Sequence, residues 1–145
     1  MPDVDLHALL ALARNARARA YAPYSRYPVG AALLCASGKV YPGCNVENAA
    51  YPATICAERA ALAAAVAAGE RDFVAMAVVA DAQRPVPPCG LCRQVLLELA
   101  PEMPLLLANL AGEERLTTPR ELLPFGFEAR DLSEAAAWRG RTPDA

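Results

Sequence analysis

Cys56-Ala57-Glu58, followed further along by Pro88-Cys89-Gly90-Leu91-Cys92, puts three thiols and one carboxylate within reach of a common chemistry. Soft sulfur ligands and a tetrahedral preference favour zinc. Three protein ligands leave the fourth position of that tetrahedron for water. An acid two residues from the first thiol can move protons at such a water. The combination points to hydrolysis rather than to a structural clip.

Two other readings use the same cysteines. A closed four-ligand site would recruit Cys35, Cys44 or His7. Cys35 and Cys44 fall in apolar runs, where free cysteine usually packs as core. His7 sits in the first helical stretch with no ligand partner near it in sequence. A redox pair at Cys89 and Cys92 would leave Cys56 and Glu58 unexplained. Charge adds a further test. Three thiolates outweigh a divalent cation, and excess negative charge weakens the supply of nucleophilic water. Arg59, three residues after Cys56 on the same helical face, is the candidate charge partner. Arg93, beside Cys92, is a second and weaker one.

The elements that must position these groups follow from pattern. Asp5 can cap a helix to about Ala20, with Leu6, Leu9, Leu10 and Ala13 on one face. Pro23 and Pro28 bound an aromatic, polar loop. Val29 to Cys35 reads as a buried strand, Ser37-Gly38 as a hairpin turn, and Lys39 to Cys44 as the returning strand. Asn45 to Ala53 reads as irregular. Thr54 can cap an Ala-rich helix from Ile55 to Ala68, ended by Gly69. Phe73 to Ala80 is an apolar strand. Pro88 suits the first turn of a third helix, which runs to about Leu99. Leu105 to Ala108 and Glu114 to Thr117 read as short strands, and Pro119 as the start of a short helix. Helix N-termini carry partial positive charge, so two of them facing each other would favour thiolates. Strands separated by helices predict a three-layer α/β/α domain with a mixed, mostly parallel five-stranded sheet. One domain over residues 1–139 is expected, with a disordered polar tail at 140–145.

Composition narrows the partners. The 145 residues are 55% hydrophobic and carry a formal net charge of -2. That is enough apolar content for a real core. No basic cluster supports nucleic-acid binding, which runs on grouped Lys and Arg. No apolar run approaches membrane-spanning length, and the first residues lack the basic start of a signal peptide. A cytoplasmic location is expected, where thiols stay reduced. Five cysteines, an odd number, fit metal ligation better than a disulfide framework.

The same residues resemble the cytidine deaminase family, of the compact kind whose zinc is held by three cysteines. The resemblance covers nearly the whole chain. It runs through Tyr21-Ala22-Pro23-Tyr24-Ser25-Arg26-Tyr27-Pro28-Val29-Gly30-Ala31-Ala32 and Gly43-Cys44-Asn45-Val46-Glu47-Asn48-Ala49-Ala50-Tyr51. It continues through Cys56-Ala57-Glu58-Arg59, Pro88-Cys89-Gly90-Leu91-Cys92-Arg93-Gln94-Val95 and Leu122-Leu123-Pro124. In the wider class of zinc deaminases a histidine stands where this chain has Cys56.

The resemblance implies hydrolysis of cytidine and deoxycytidine to the uridines with release of ammonia, using one zinc ion per chain. Water would attack C4 of the pyrimidine, and Glu58 would carry protons to ring N3 and to the leaving amine. Cys56, Cys89 and Cys92 would be the metal ligands. Asn45 and Glu47 would hold the ribose, and Ala57 would line the substrate site. Tyr27 would face the base at a position usually held by phenylalanine. Phe127 would reach a neighbouring subunit's site, although Gly126 replaces the alanine that usually precedes it. Pro87 and Leu91 depart from a common serine and alanine, which touches loop shape rather than metal binding. A homotetramer is implied. Two alternatives stay open: a deaminase of another aminopyrimidine nucleoside, such as a nucleoside antibiotic, and a non-catalytic zinc-stabilised binding module.

Overall fold

The computed structural model describes residues 3–139; the tail expected at 140–145 lies outside them. Helix α1, Leu6–Arg17, starts where Asp5 accepts the Ala8 N–H at 2.9 Å. It buries Leu9, Leu10, Ala13 and Ala16. Strands β1 (Val29–Cys35) and β2 (Val40–Cys44) form the expected hairpin. A short 3-10 turn, Tyr51–Ala53, then leads into α2, Ala57–Ala67. Strand β3 (Phe73–Ala80), α3 (Gly90–Leu99), β4 (Leu105–Asn109) and β5 (Glu114–Thr117) follow. The chain closes with α4 (Pro119–Leu122) and α5 (Ala129–Arg139).

The sheet is mixed and five-stranded, in the order β2-β1-β3-β4-β5. The expectation that it is mostly parallel is corrected. Among the described residues only β3 and β4 pair in parallel; the other three pairs are antiparallel. The helical crossovers do return each strand in the same direction, so β2, β3 and β4 run alike. However, β1 slots between β2 and β3 and pairs antiparallel with both. Helix α5 has no counterpart in the sequence reading. Its exposed Leu132 and Trp138 mark a helix without a stripe buried in the core, so no inward period announced it.

Strand alternation divides the core between two helical layers. Ala31, Leu33, Met76, Val78, Leu105 and Leu107 pack with Ala57, Ala61, Leu62, Ala65 and Leu96 of α2 and α3. Ala32, Ala75, Ala77, Val79 and Leu106 pack with Leu9, Leu10 and Ala13 of α1. Two glycines set how closely the layers approach. A Cβ on Gly30 would lie 2.0 Å from the Ala13 carbonyl oxygen, and one on Gly43 2.2 Å from that of Ala57. The second contact seats the start of α2, and with it Cys56 and Glu58, directly on β2.

Candidate active site

Both ligand segments sit at helix starts, one residue earlier than a turn of helix would put them. Cys56 is itself the N-cap of α2, and Cys89 is the N-cap of α3. Thr54 is therefore not the cap, and Pro88 is not in the first turn. The Thr54 hydroxyl is occupied by the Asn48 N–H at 3.2 Å. Ile55 exchanges two 3.0 Å backbone hydrogen bonds with Val46, which keeps the chain extended as far as Cys56. Pro88 offers its carbonyl to Arg93 Nε at 2.8 Å, and Arg93 also donates to the Leu122 carbonyl at 2.8 Å. Arg93 is thus spent on the carbonyls of Pro88 and of the end of α4, and among the described residues it donates to no thiol.

The three sulfurs of Cys56, Cys89 and Cys92 lie within 4.8 Å of one another, and Cys56 Sγ to Cys89 Sγ is 3.7 Å. Sulfurs at about 2.3 Å from a tetrahedral zinc stand about 3.8 Å apart, so the donor set fits that ion. Glu58 is only 5% exposed. Its Oε2 lies 3.8 Å from Cys92 Sγ. Burial, with the Cys56 charge adding to it, pushes the Glu58 carboxyl up to about 7. Arg59 donates to Cys56 Sγ at 3.5 Å.

The thiols do not share charge evenly. Hydrogen bonds from Cys92, Arg59 and Cys89 outweigh burial and pull the Cys56 thiol down to about 5. Cys92 is pushed up by its interaction with the Cys56 sulfur, by burial, and by the Glu58 and Cys56 charges nearby. One thiolate forms readily and the next is opposed. A divalent cation relieves that opposition.

Asn45, Glu47 and Tyr27 are held in a different manner. Asn45 Oδ1 accepts the Val29 N–H at 2.8 Å, and its Nδ2 donates to the Tyr27 carbonyl at 2.9 Å. Glu47 Oε1 accepts the Tyr24 and Ser25 N–H groups at 2.9 and 3.0 Å, and Oε2 accepts the Ser25 hydroxyl. Those hydrogen bonds hold the Glu47 carboxyl below its ordinary value. Tyr27 is half-buried; burial raises its phenol, and the charges of Asp81 and Glu58 raise it further. Ala57 is fully buried as the first residue of α2. Its N–H is one of the first-turn donors that have no partner within the helix.

A cavity of about 370 Å³ opens beside Glu47, lined by Tyr24, Ser25, Glu47, Tyr51 and Thr54. Of these, Tyr24, Ser25, Tyr51 and Thr54 are residues to which sequence alone assigns no site role. Ser25 could have been suspected only as a hydroxyl two residues before Tyr27. Phe127 does not line this cavity. It is 57% exposed, and its carbonyl accepts Gln94 Nε2 of α3 at 2.8 Å. Another cavity of about 360 Å³, bounded by Arg84, Pro87, Arg115 and Leu122, contains none of the thiols.

Residues 4–105 match the family model of the cytidine and deoxycytidylate deaminase zinc-binding region. The chain belongs to the cytidine deaminase family. A cytidine deaminase of Sporosarcina psychrophila is 52% identical over 134 residues, covering 92% of this chain and 98% of that protein. One of Mycobacterium tuberculosis is 45% identical over 132 residues, covering 91% and 96%. Among solved structures, the cytidine deaminase from Burkholderia pseudomallei superposes with a TM-score of 0.84 at 50% identity. That match covers 86% of this chain and all of that one. This cytidine deaminase family member is a zinc enzyme, with Cys56, Cys89 and Cys92 placed to hold one metal ion.

Proposed function

We propose that the protein hydrolyses cytidine and deoxycytidine to uridine and deoxyuridine, water replacing the exocyclic amine, which leaves as ammonia. The observation that carries this reading is the buried Glu58 carboxyl, 3.8 Å from a ligand of the three-thiol metal cluster. A zinc-stabilised binding module has no use for an acid held there at a cost in solvation.

When bound by Cys56, Cys89 and Cys92, zinc supplies Lewis acidity that makes hydroxide available near neutral pH. Glu58 handles the protons. A carboxyl raised to about 7 is matched to both giving and taking a proton at working pH. It accepts a proton from the attacking water and passes it to ring N3, then takes the second water proton from the new C4 hydroxyl and delivers it to the departing amine. Arg59, held on Cys56 Sγ, offsets the negative charge of three thiolates. Asn45 and Glu47 keep spare hydrogen-bonding capacity for a sugar hydroxyl: a carboxylate accepts, and an amide donates and accepts. Tyr27 faces the base, and the Ala57 N–H is available to it.

The catalytic unit is one domain over residues 1–139. The open cavity beside Glu47 and the exposed Tyr24, Tyr51, Phe125 and Phe127 support assembly into a homotetramer. In that arrangement Phe127 of one copy would close the site of another. A cytoplasmic enzyme of pyrimidine salvage fits a small nucleoside substrate and a three-thiolate site. Among the described residues no helix is long and apolar enough to cross a membrane.

The deciding experiment follows the ultraviolet change on deamination of cytidine, deoxycytidine and cytosine by zinc-loaded wild type and Glu58→Gln. The variant keeps about one zinc per chain and loses turnover by a factor of about 10² to 10⁴ or more. Comparable turnover in the variant would remove Glu58 from the chemistry. No turnover of any cytosine compound by wild type would leave the binding module standing.

A further inference from the structure

The loop that precedes β1 is fastened to the segment after β2 at both ends. Tyr21 N–H donates to the Asn45 carbonyl at 3.0 Å, and Glu47 N–H donates to the Tyr21 carbonyl at 2.8 Å. At the other end Asn45 bridges Tyr27 and Val29. Between these anchors one side-chain atom connects the two halves of the loop. Ser25 Oγ donates to Glu47 Oε2 and accepts the Tyr27 N–H at 3.0 Å.

A hydroxyl has one proton to give. The Tyr27 N–H occupies an acceptor site on the oxygen, so the O–H is turned toward Glu47. The residue between, Arg26, has φ 54, in the left-handed region that costs a non-glycine residue energy. That conformation brings the Tyr27 N–H back onto the serine. The Glu47 carboxylate thus receives three donors, two from backbone and one from the serine. The two backbone donors share Oε1, so Ser25 alone fixes the rotation that presents Oε2. Ser25 itself is exposed, which fits a role other than core packing.

We propose that Ser25 is a positioning residue for the nucleoside: its hydroxyl, aimed by the Tyr27 N–H, sets the orientation of the Glu47 carboxylate toward the sugar. The inference rests on the reading of Glu47 as a sugar contact. Ser25 touches no reacting atom, so its loss weakens sugar binding and leaves the proton transfers at Glu58 alone.

The test compares cytidine with 2',3'-dideoxycytidine, which offers Glu47 no secondary sugar hydroxyl, in wild type, Ser25→Ala and Ser25→Thr. Ser25→Ala raises KM for cytidine about tenfold, as expected for a lost hydrogen bond to a charged group, with kcat within about threefold. Its KM for dideoxycytidine stays within about twofold of wild type. Ser25→Thr, which keeps the hydroxyl, restores the cytidine KM. An equal penalty on both nucleosides would overturn the proposal, as would a fall in kcat at constant KM. So would an unfolded Ser25→Ala, since the role would then be structural. A wild type that fails to distinguish the two nucleosides would instead remove the sugar role of Glu47.

Discussion

The two ends of the candidate site are built on opposite principles. At the metal end, Cys56, Cys89, Cys92 and Glu58 converge with charges that do not balance. One thiol is pulled down, its neighbour is pushed up, and a buried carboxyl is raised to about 7. At the proposed sugar end, Asn45 and Glu47 are already engaged with backbone groups and with Ser25. The first end is frustrated until a cation arrives. The second is satisfied before any ligand does. Reactive groups are kept at a cost in stability where chemistry occurs, whereas recognition groups also serve as structural clasps.

The largest expected effect tests the frustrated end. Cys92→Ala leaves two thiols, too few to hold the ion tightly, so purified protein contains well under one zinc per chain and turnover is lost. Cys35→Ala is the matched control. Cys35 is 1% exposed in the core, so its loss lowers thermal stability but leaves the zinc content unchanged. Elemental analysis and a melting curve on each variant separate the two cases. If Cys35→Ala also sheds zinc, the ion is held by a closed four-thiol set.

A smaller effect runs in the opposite direction to most mutations. The raised Glu58 carboxyl means that the folded, metal-stripped protein binds a proton more tightly than the unfolded chain does. The share of stability that Glu58 contributes is then complete below about pH 4.5 and declines as pH rises through about 7. At about 1.4 kcal/mol per pH unit the loss is about 3 kcal/mol by pH 8. Metal-stripped Glu58→Gln lacks this decline. It melts above metal-stripped wild type at pH 8, and the gap closes toward pH 4.5. A gap independent of pH would show that Glu58 is not strained by its burial.

The division between the ends also governs what could be read from the sequence. The metal end was legible because Cys56, Glu58, Arg59, Cys89 and Cys92 lie in two short segments with fixed spacing, and each helix start carries its own ligands. Strands β1, β3 and β5 were legible to the residue, because an apolar run and a turn are local signals. Strand direction was less so. Whether β1 pairs on one side or both depends on contacts distant in sequence, and β1 took both sides. The helix starts shifted for a similar reason. Thr54 has good capping chemistry, but its hydroxyl is taken by Asn48 and its neighbour Ile55 by Val46. The Ser25 to Glu47 link joins residues 22 apart and leaves no periodic trace.

The smallest predicted effect tests the satisfied end. Asn45 is 9% exposed and holds the Val29 N–H and the Tyr27 carbonyl with one amide. Asn45→Ala strands both groups at the entry to β1. Leaving such groups without a partner costs about 2 kcal/mol, or a fall of about 5 °C in the melting temperature of a domain this size. Asn45→Asp keeps the acceptor for Val29 but sets a carboxylate oxygen against the Tyr27 carbonyl, so it too melts below wild type. In both variants zinc stays at about one per chain, and KM for cytidine rises because Tyr27 and the sugar contact shift together. If Asn45→Ala raised KM with no loss of stability, the asparagine would serve recognition alone. The sugar end would then depend on its ligand for completion, as the metal end depends on its cation.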